Sequence, residues 1–393
     1  MSERRHKLHD ETLCVMPGID DAKGAVVPPI YQSATFRFAS TAAAAARARG
    51  ESDTYIYTRY TNPTLEAVEA KLAALERGAR AFLFASGSAA TATWCHAFLR
   101  PGDRLIAADQ LYGGTAFYFD RYLSPLGIRV ERVPFTDLDR LAAALAGAKA
   151  AWFETPTNPT LRIVDGPAVA ELCRKHDVLS AVDNTFATPI NQKPLSWGVD
   201  WVMHSATKYL GGHADVIGGV LIAGAGADVD SVYQARLAVG GVMDPHAAFL
   251  VDRGLKTLAL RVERHNANAA RLARWLSERA EIARVHYPGL PDHPGHQLAA
   301  RQMRGFGGML AVDLKGGYDA AAHFVDRLQV IVNAASLGGV ESLASLPVLT
   351  SHARAGEDEL QTAGITRGTV RISVGIESLD DLIADVEQAL SDV

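Results

Sequence analysis

Between Arg80 and Ala223 seven short apolar runs alternate with stretches of helical periodicity, and this alternation constrains the fold more than any other feature of the chain. The runs are RAFLFA (80–85), RLIAAD (104–109), IRVERV (128–133), AAWFET (150–155), LSAVDN (179–184), WVMHSA (201–206) and VIGGVLIA (216–223). Each has the length of a strand, and helical patterns such as LEAVEAKLAALE separate them. The pattern predicts an α/β fold with a mostly parallel sheet covered by helices on both faces. A long helical stretch from Pro245 to Arg279 follows, then strand candidates MLAVDL, QVIVNA and TVRISV and a last helix, SLDDLIADVEQAL. The ending reads as a smaller α/β domain. The expected organisation is an N-terminal arm over residues 1–60, a large domain over 61–250 and a C-terminal domain over 251–393. Pro17, Gly24, Pro28 and Pro29 punctuate the arm, which holds one helical patch at Thr41–Arg49 and little core of its own.

Charge and hydropathy exclude several partners. Across 393 residues, 39 basic and 44 acidic side chains leave a net charge of −5, and the basic residues are scattered, so no footprint for nucleic acid exists. The longest weakly polar run, Val216 to Ala227, is too short and Gly-rich for a membrane span, which needs about 20 apolar residues. The first fourteen residues carry both signs of charge and no apolar stretch, which predicts a cytoplasmic protein. Cys14, Cys95 and Cys173 are far apart and odd in number, as suits a reducing compartment and a packing role.

In an open parallel sheet ligands collect at the carboxyl ends of the strands. The residues found there are Ser86-Gly87-Ser88, Asp109 with Tyr112-Gly113-Gly114-Thr115, Glu154 to Pro159, Asp183-Asn184-Thr185 and Ser205 to Lys208. One lysine, flanking hydroxyls, a strand-ending acid, a tyrosine and a Ser-Gly-Ser turn are the parts that pyridoxal 5'-phosphate requires. Lys208 would form the Schiff base, Asp183 would pair with the pyridine nitrogen, and Tyr112 would stack on the ring and act as a general acid or base. Ser205 and Thr207, with the amides of Gly87 and Ser88 at a helix start, would cradle the phosphate.

The strings TRYTNPT (58–64), ASGSAAT (85–91), YGGT (112–115), ETPTNPT (154–160), VDNTFATP (182–189), HSATKYLGGHAD (204–215), RGLKTL (253–258) and VRISVGIE (370–377) resemble the Cys/Met-metabolism family of pyridoxal-phosphate enzymes. The matches run in order from about Pro28 to the C-terminus. The resemblance implies a fold-type-I enzyme acting on a small amino acid, with Lys208, Tyr112 and Asp183 in the roles just given. It also implies that Tyr57 and Arg59 reach the phosphate of a neighbouring subunit, so that the unit is at least a homodimer and by expectation a homotetramer. Asn158, Ser336 and Arg371 match the residues that hold the substrate carboxylate, a group that a guanidinium grips bidentately. The implied reaction is γ-elimination on an L-amino acid with a heteroatom on Cγ, with γ-replacement on an activated homoserine ester as the alternative.

Departures from the family pattern bear on substrate. Ser88 replaces a bulky apolar residue in its turn, and Ile56, Ala335 and Phe117 stand where cystathionine γ-lyases carry charges. Gly114 replaces the cysteine usual in methionine γ-lyases. Two rival readings are weaker. Ser205-x-x-Lys208 matches a serine-hydrolase signature whose companion S-D-N is absent, and the spacing of His204, His213 and Asp215 fits no zinc pattern.

Overall fold

The computed structural model describes residues 8–19, 24–353 and 355–391. Among the described residues, twelve strands form two sheets. The larger contains β1 (Arg80–Phe84), β2 (Arg104–Ala108), β3 (Arg129–Val133), β4 (Ala150–Glu154), β5 (Leu179–Asp183), β6 (Trp201–His204) and β7 (Gly219–Ala223), each within one of the seven apolar runs. Its order is β1-β7-β6-β5-β4-β2-β3. Neighbours from β3 to β6 pair in parallel through helical crossovers, whereas β7 is antiparallel to both β6 and β1. The reversal has a local cause: no helical crossover separates His204 from Gly219, so the chain cannot return to a parallel start and turns back directly. The loop left between β6 and β7 carries Lys208 across the strand ends.

The smaller sheet contains β8 (Ile282–His286), β9 (Met309–Leu314), β10 (Val332–Asn333), β11 (Leu343–Ser345) and β12 (Thr369–Ser373) in the order β10-β11-β12-β9-β8. It is antiparallel apart from the β10–β11 pair. Strands β8 and β11 were not expected from the sequence. The helical stretch from Pro245 is two helices, Pro245–Leu255 and Leu258–Ser277. The second belongs to both halves: Leu258, Ala259 and Val262 enter the core of the large sheet, while Ala269, Leu272, Ala273 and Leu276 enter that of the small sheet.

The large core holds Trp94, Trp152 and Phe119 edge to face, with centroids 5.2 Å (Trp94–Trp152) and 6.0 Å (Phe119–Trp152) apart. A short helix, Asp10–Val15, precedes the extended part of the arm and docks Leu13 and Cys14 into this core. Asp10 anchors it, meeting Lys193 at 3.1 Å, Arg304 at 3.3 Å and Arg77 at 3.5 Å. The expected helical patch is a helix over Thr41–Ala48 with no buried residue, and Val26, Val27, Ile30 and Tyr31, earlier in the arm, are exposed. Among the described residues no helix is long and apolar enough to cross a membrane.

All three cysteines are buried, and burial pushes their thiols up, Cys14 to about 11 and Cys173 to about 12. A thiol reagent should therefore label none of the three cysteines rapidly in the native protein and all of them in denaturant. Rapid titration of any thiol under native conditions would contradict the packing role.

Candidate active site

A cavity of about 610 Å³ lies where the carboxyl ends of the large sheet meet β12 and the segment before β11. Gly87, Ser88, Tyr112, Asn158, Asp183, Ser205, Thr207, Lys208, Ser336 and Arg371 all line it, so the structure brings together every sequence-predicted site residue except two. Tyr57 and Arg59 line a separate cavity with Gln32, Ser33, Met243 and Asp244. There Arg59 donates to the Leu237 carbonyl at 2.7 Å and stands over the rings of Tyr57 and Tyr60.

Asp183 ends β5 beside Glu154, which ends β4; the two are partners in the strand register. Asp183 Oδ1 accepts the Thr185 N–H at 2.9 Å and the Thr185 hydroxyl at 2.5 Å. Burial raises the Asp183 carboxyl, while the Thr185 bonds and the nearby His204 act in the opposite direction. Glu154 is raised too, first by burial and then by the charge of Asp183. Beneath them His204 Nε2 lies 2.6 Å from Glu76 Oε1, which also accepts from Asn184 Nδ2 at 2.9 Å. His204 is thus part of a buried hydrogen-bonded chain, and His213 Nδ1 meets the Gly211 carbonyl at 2.8 Å.

Lys208 Nζ donates to Ser336 Oγ at 2.7 Å. Burial, and secondarily the Arg371 charge, push its ammonium down to about 8. Ser336 has φ of 100°, a region that side-chain-bearing residues rarely adopt, and contacts hold it there: Arg371 Nη2 donates to the Ser336 carbonyl at 3.0 Å. Arg371, on β12, also donates through Nη1 to Asn158 Oδ1 at 3.1 Å.

The helix Gly87–Phe98 begins at the cavity, with Ser86 as its cap accepting from the Ala89 N–H at 3.0 Å. The N–H groups of Gly87 and Ser88 have no acceptor among the described residues, as the first turn of a helix dictates. The turn lies hard against β7, where a Cβ at Gly219 would stand 2.2 Å from the Ser86 carbonyl oxygen. Thr207 Oγ1 is held by the Gly218 N–H at 2.9 Å. Two free amides and adjacent hydroxyls at a helix start fit a phosphate, and a buried acid and a buried lysine fit a pyridoxal ring, so the cavity suits pyridoxal phosphate on its own chemistry.

The family described as Cys/Met metabolism PLP-dependent enzyme matches residues 11–391. The chain belongs to this family. It is 43% identical over 389 residues to the cystathionine beta-lyase of Coxiella burnetii, covering 98% of each chain. It is 43% identical to the L-methionine gamma-lyase of Pseudomonas putida, with 94% of each covered. The crystal structure of cystathionine gamma synthase from Xanthomonas oryzae pv. oryzae, in complex with aminoacrylate and cysteine, superposes with a TM-score of 0.93 at 40% identity over 98% of both chains. As a member of the Cys/Met metabolism family, the protein is a pyridoxal-phosphate-dependent enzyme of fold type I.

Glu154, Thr185 and Thr115 are among the polar lining residues to which the sequence assigned no role. Of the departures from the family pattern, Ser88 and Ala335 line the cavity, and Ile56 and Phe117 do not. Gly114 lies under the Tyr112 ring, where a Cβ would stand 2.5 Å from Tyr112 Cε1, so the observed ring position requires glycine.

The depressed Lys208 ammonium makes a kinetic prediction. Only the neutral amine attacks an aldehyde, so capture of pyridoxal phosphate by cofactor-stripped protein should accelerate as pH rises and level off above about 8. Stopped-flow absorbance would measure it. Continued acceleration up to the range of an ordinary lysine, about 10.4, would contradict the burial argument.

Proposed function

We propose that this enzyme catalyses γ-elimination on an L-amino acid bearing a sulfur or oxygen leaving group on Cγ. One molecule of R–X–CH2–CH2–CH(NH3+)–COO− and one of water give 2-oxobutanoate, ammonium and R–XH. The supporting observation is the charge inventory of the cavity. Arg371 is the one guanidinium among this chain's described lining residues, the neighbouring copy's Arg59 being assigned to the phosphate, and Phe186, Ile217, Ala335 and Leu337 supply apolar lining. One guanidinium matches one α-carboxylate. The second amino-acid end of cystathionine would meet no second guanidinium among the lining residues, with Lys208 committed to the cofactor, and an unpaired charge there is costly. A short S- or O-alkyl group suits the apolar lining instead. γ-Replacement with an amino-acid nucleophile meets the same obstacle, which favours water as the second reactant.

In this reading Asn158, Ser336 and Arg371 hold the substrate carboxylate, Asp183 faces the ring nitrogen, and Gly87, Ser88, Ser205 and Thr207 hold the phosphate. The bound cofactor supplies an electron sink that acidifies Cα. Lys208 Nζ moves the proton from Cα and serves Cβ in turn, its lowered ammonium leaving part of it neutral near pH 8. The Tyr112 phenol protonates the departing heteroatom.

Tyr57 and Arg59 complete the site of a neighbouring copy in this proposal, so the working unit is a dimer, paired into a tetramer. The exposed apolar arm residues Val26, Val27, Ile30 and Tyr31 supply surface for that contact. Buried, unpaired thiols suit the reducing cytoplasm.

Product analysis with a panel of S- and O-substituted homoserines tests the reaction: 2-oxobutanoate should form from the short alkyl members faster than from cystathionine. Exclusive formation of a thioether product in the presence of a thiol would establish replacement instead. Lys208→Ala should lose turnover by about 10²–10⁴-fold or more, and Asp183→Asn should bind cofactor yet lose most activity. Mixed Arg59→Ala and Lys208→Ala chains should regain activity, since one site of a hybrid dimer has both residues; subunit exchange without recovery would refute the shared site.

A further inference from the structure

Glu154 is the buried acid of the cavity to which the proposed chemistry gives no task. It is 5% exposed, and both its oxygens are engaged. Oε2 accepts the backbone N–H of Tyr112 at 2.8 Å, and Oε1 accepts the backbone N–H of Asn158 at 3.0 Å. These amides lie on different loops, one leaving β2 and one leaving β4. The first loop carries the Tyr112 ring. The second carries Asn158, whose Oδ1 receives Arg371 Nη1 at 3.1 Å.

From this geometry we infer that Glu154 is a positioning residue that locks the Tyr112 ring and the Asn158–Arg371 carboxylate grip into one unit. The carboxylate form is needed for the purpose. An ionised carboxylate accepts at both oxygens, and hydrogen bonds from N–H groups to it are charge-assisted. An amide or a protonated acid of the same shape accepts at one end and presents a hydrogen to the other N–H. Asp183 provides the reason for the double bond to the backbone. Burial, and then the charge of Asp183 on the neighbouring strand end, raise the Glu154 carboxyl to about 8, and the two N–H donors act against that shift in favour of the ionised form.

The inference rests on the roles proposed for Tyr112, Asn158 and Arg371, and its test separates the two. In the holoenzyme, Glu154→Gln should change the visible circular dichroism of the bound cofactor, because the stacked ring moves. It should also weaken inhibition by L-norleucine, a methionine shape without a leaving group, by about five- to hundredfold, the effect of one buried group left unpaired. Both readouts should move together. Glu154→Asp keeps the charge with a shorter reach and should give smaller changes in both; it also serves if the glutamine variant does not fold. Wild-type dichroism or wild-type norleucine affinity in a folded Glu154→Gln or Glu154→Asp protein overturns the inference. Arg371→Lys is the control. If it leaves norleucine affinity unchanged, the carboxylate-grip reading fails; if it weakens binding while the Glu154 variants do not, only the Glu154 inference falls.

Discussion

Glu154 and Asp183 end adjacent parallel strands in register, and the geometry of a parallel sheet puts both side chains on the same face. Burying two like charges so close is costly, and burial raises both carboxyls. The surrounding structure is arranged to offset that cost. The N–H groups of Tyr112 and Asn158 turn toward Glu154, and Thr185 gives both its N–H and its hydroxyl to Asp183. His204, one strand further on, adds a favourable field at Asp183. The loops that frame the cavity take their paths from these bonds.

Two cations enter the same cavity. Lys208 comes from the loop that the antiparallel β7 leaves across the strand ends, and Arg371 comes from the small sheet. Each lowers or is lowered by its surroundings: burial brings Arg371 down to about 10 and Lys208 to about 8, with Arg371 adding to the second shift. The acids of the cavity thus end two strands of the large sheet, while Arg371 enters it from the small sheet. The proposed binding mode, with the substrate carboxylate assigned to Arg371 and the ring nitrogen to Asp183, matches that placement of charge. Ser336 joins the two cations, holding Lys208 through its hydroxyl and Arg371 through its carbonyl.

The inner strands of the large sheet were legible because both their faces are buried, which writes them into the sequence as continuous apolar runs, whereas the edge strand β3 is partly exposed and reads as an alternation. β8 was not, since Arg284 faces solvent within it and breaks the run, and β11 is only three residues long. The direction of β7 is invisible to periodicity, although the missing helix between His204 and Gly219 was a usable sign. The single helix Leu258–Ser277 serves two cores, which no local pattern marks. At the site, residues with a side-chain task stood out at strand ends. Glu154 stood among them but drew no role, because its partners are backbone amides, which every residue has. Tyr57 and Arg59 were named through family resemblance and not through position, consistent with their place in another cavity.

Relatives bearing three different reaction names stand at 40–43% identity to this chain, so overall similarity reports the shared cofactor machinery and not the choice of reaction. That choice has to reside in side chains that the scaffold does not fix. The Tyr112 ring is the clearest case, being half exposed and resting on Gly114. Any side chain at position 114 would meet the ring and displace it, and with it the phenol that is proposed to meet the departing heteroatom. A leaving group on Cβ and one on Cγ differ by one carbon–carbon bond in reach, so a displacement of that order decides which of them is protonated. Glu154 fixes the backbone of Tyr112, which leaves the residue beneath the ring to set where the phenol stands.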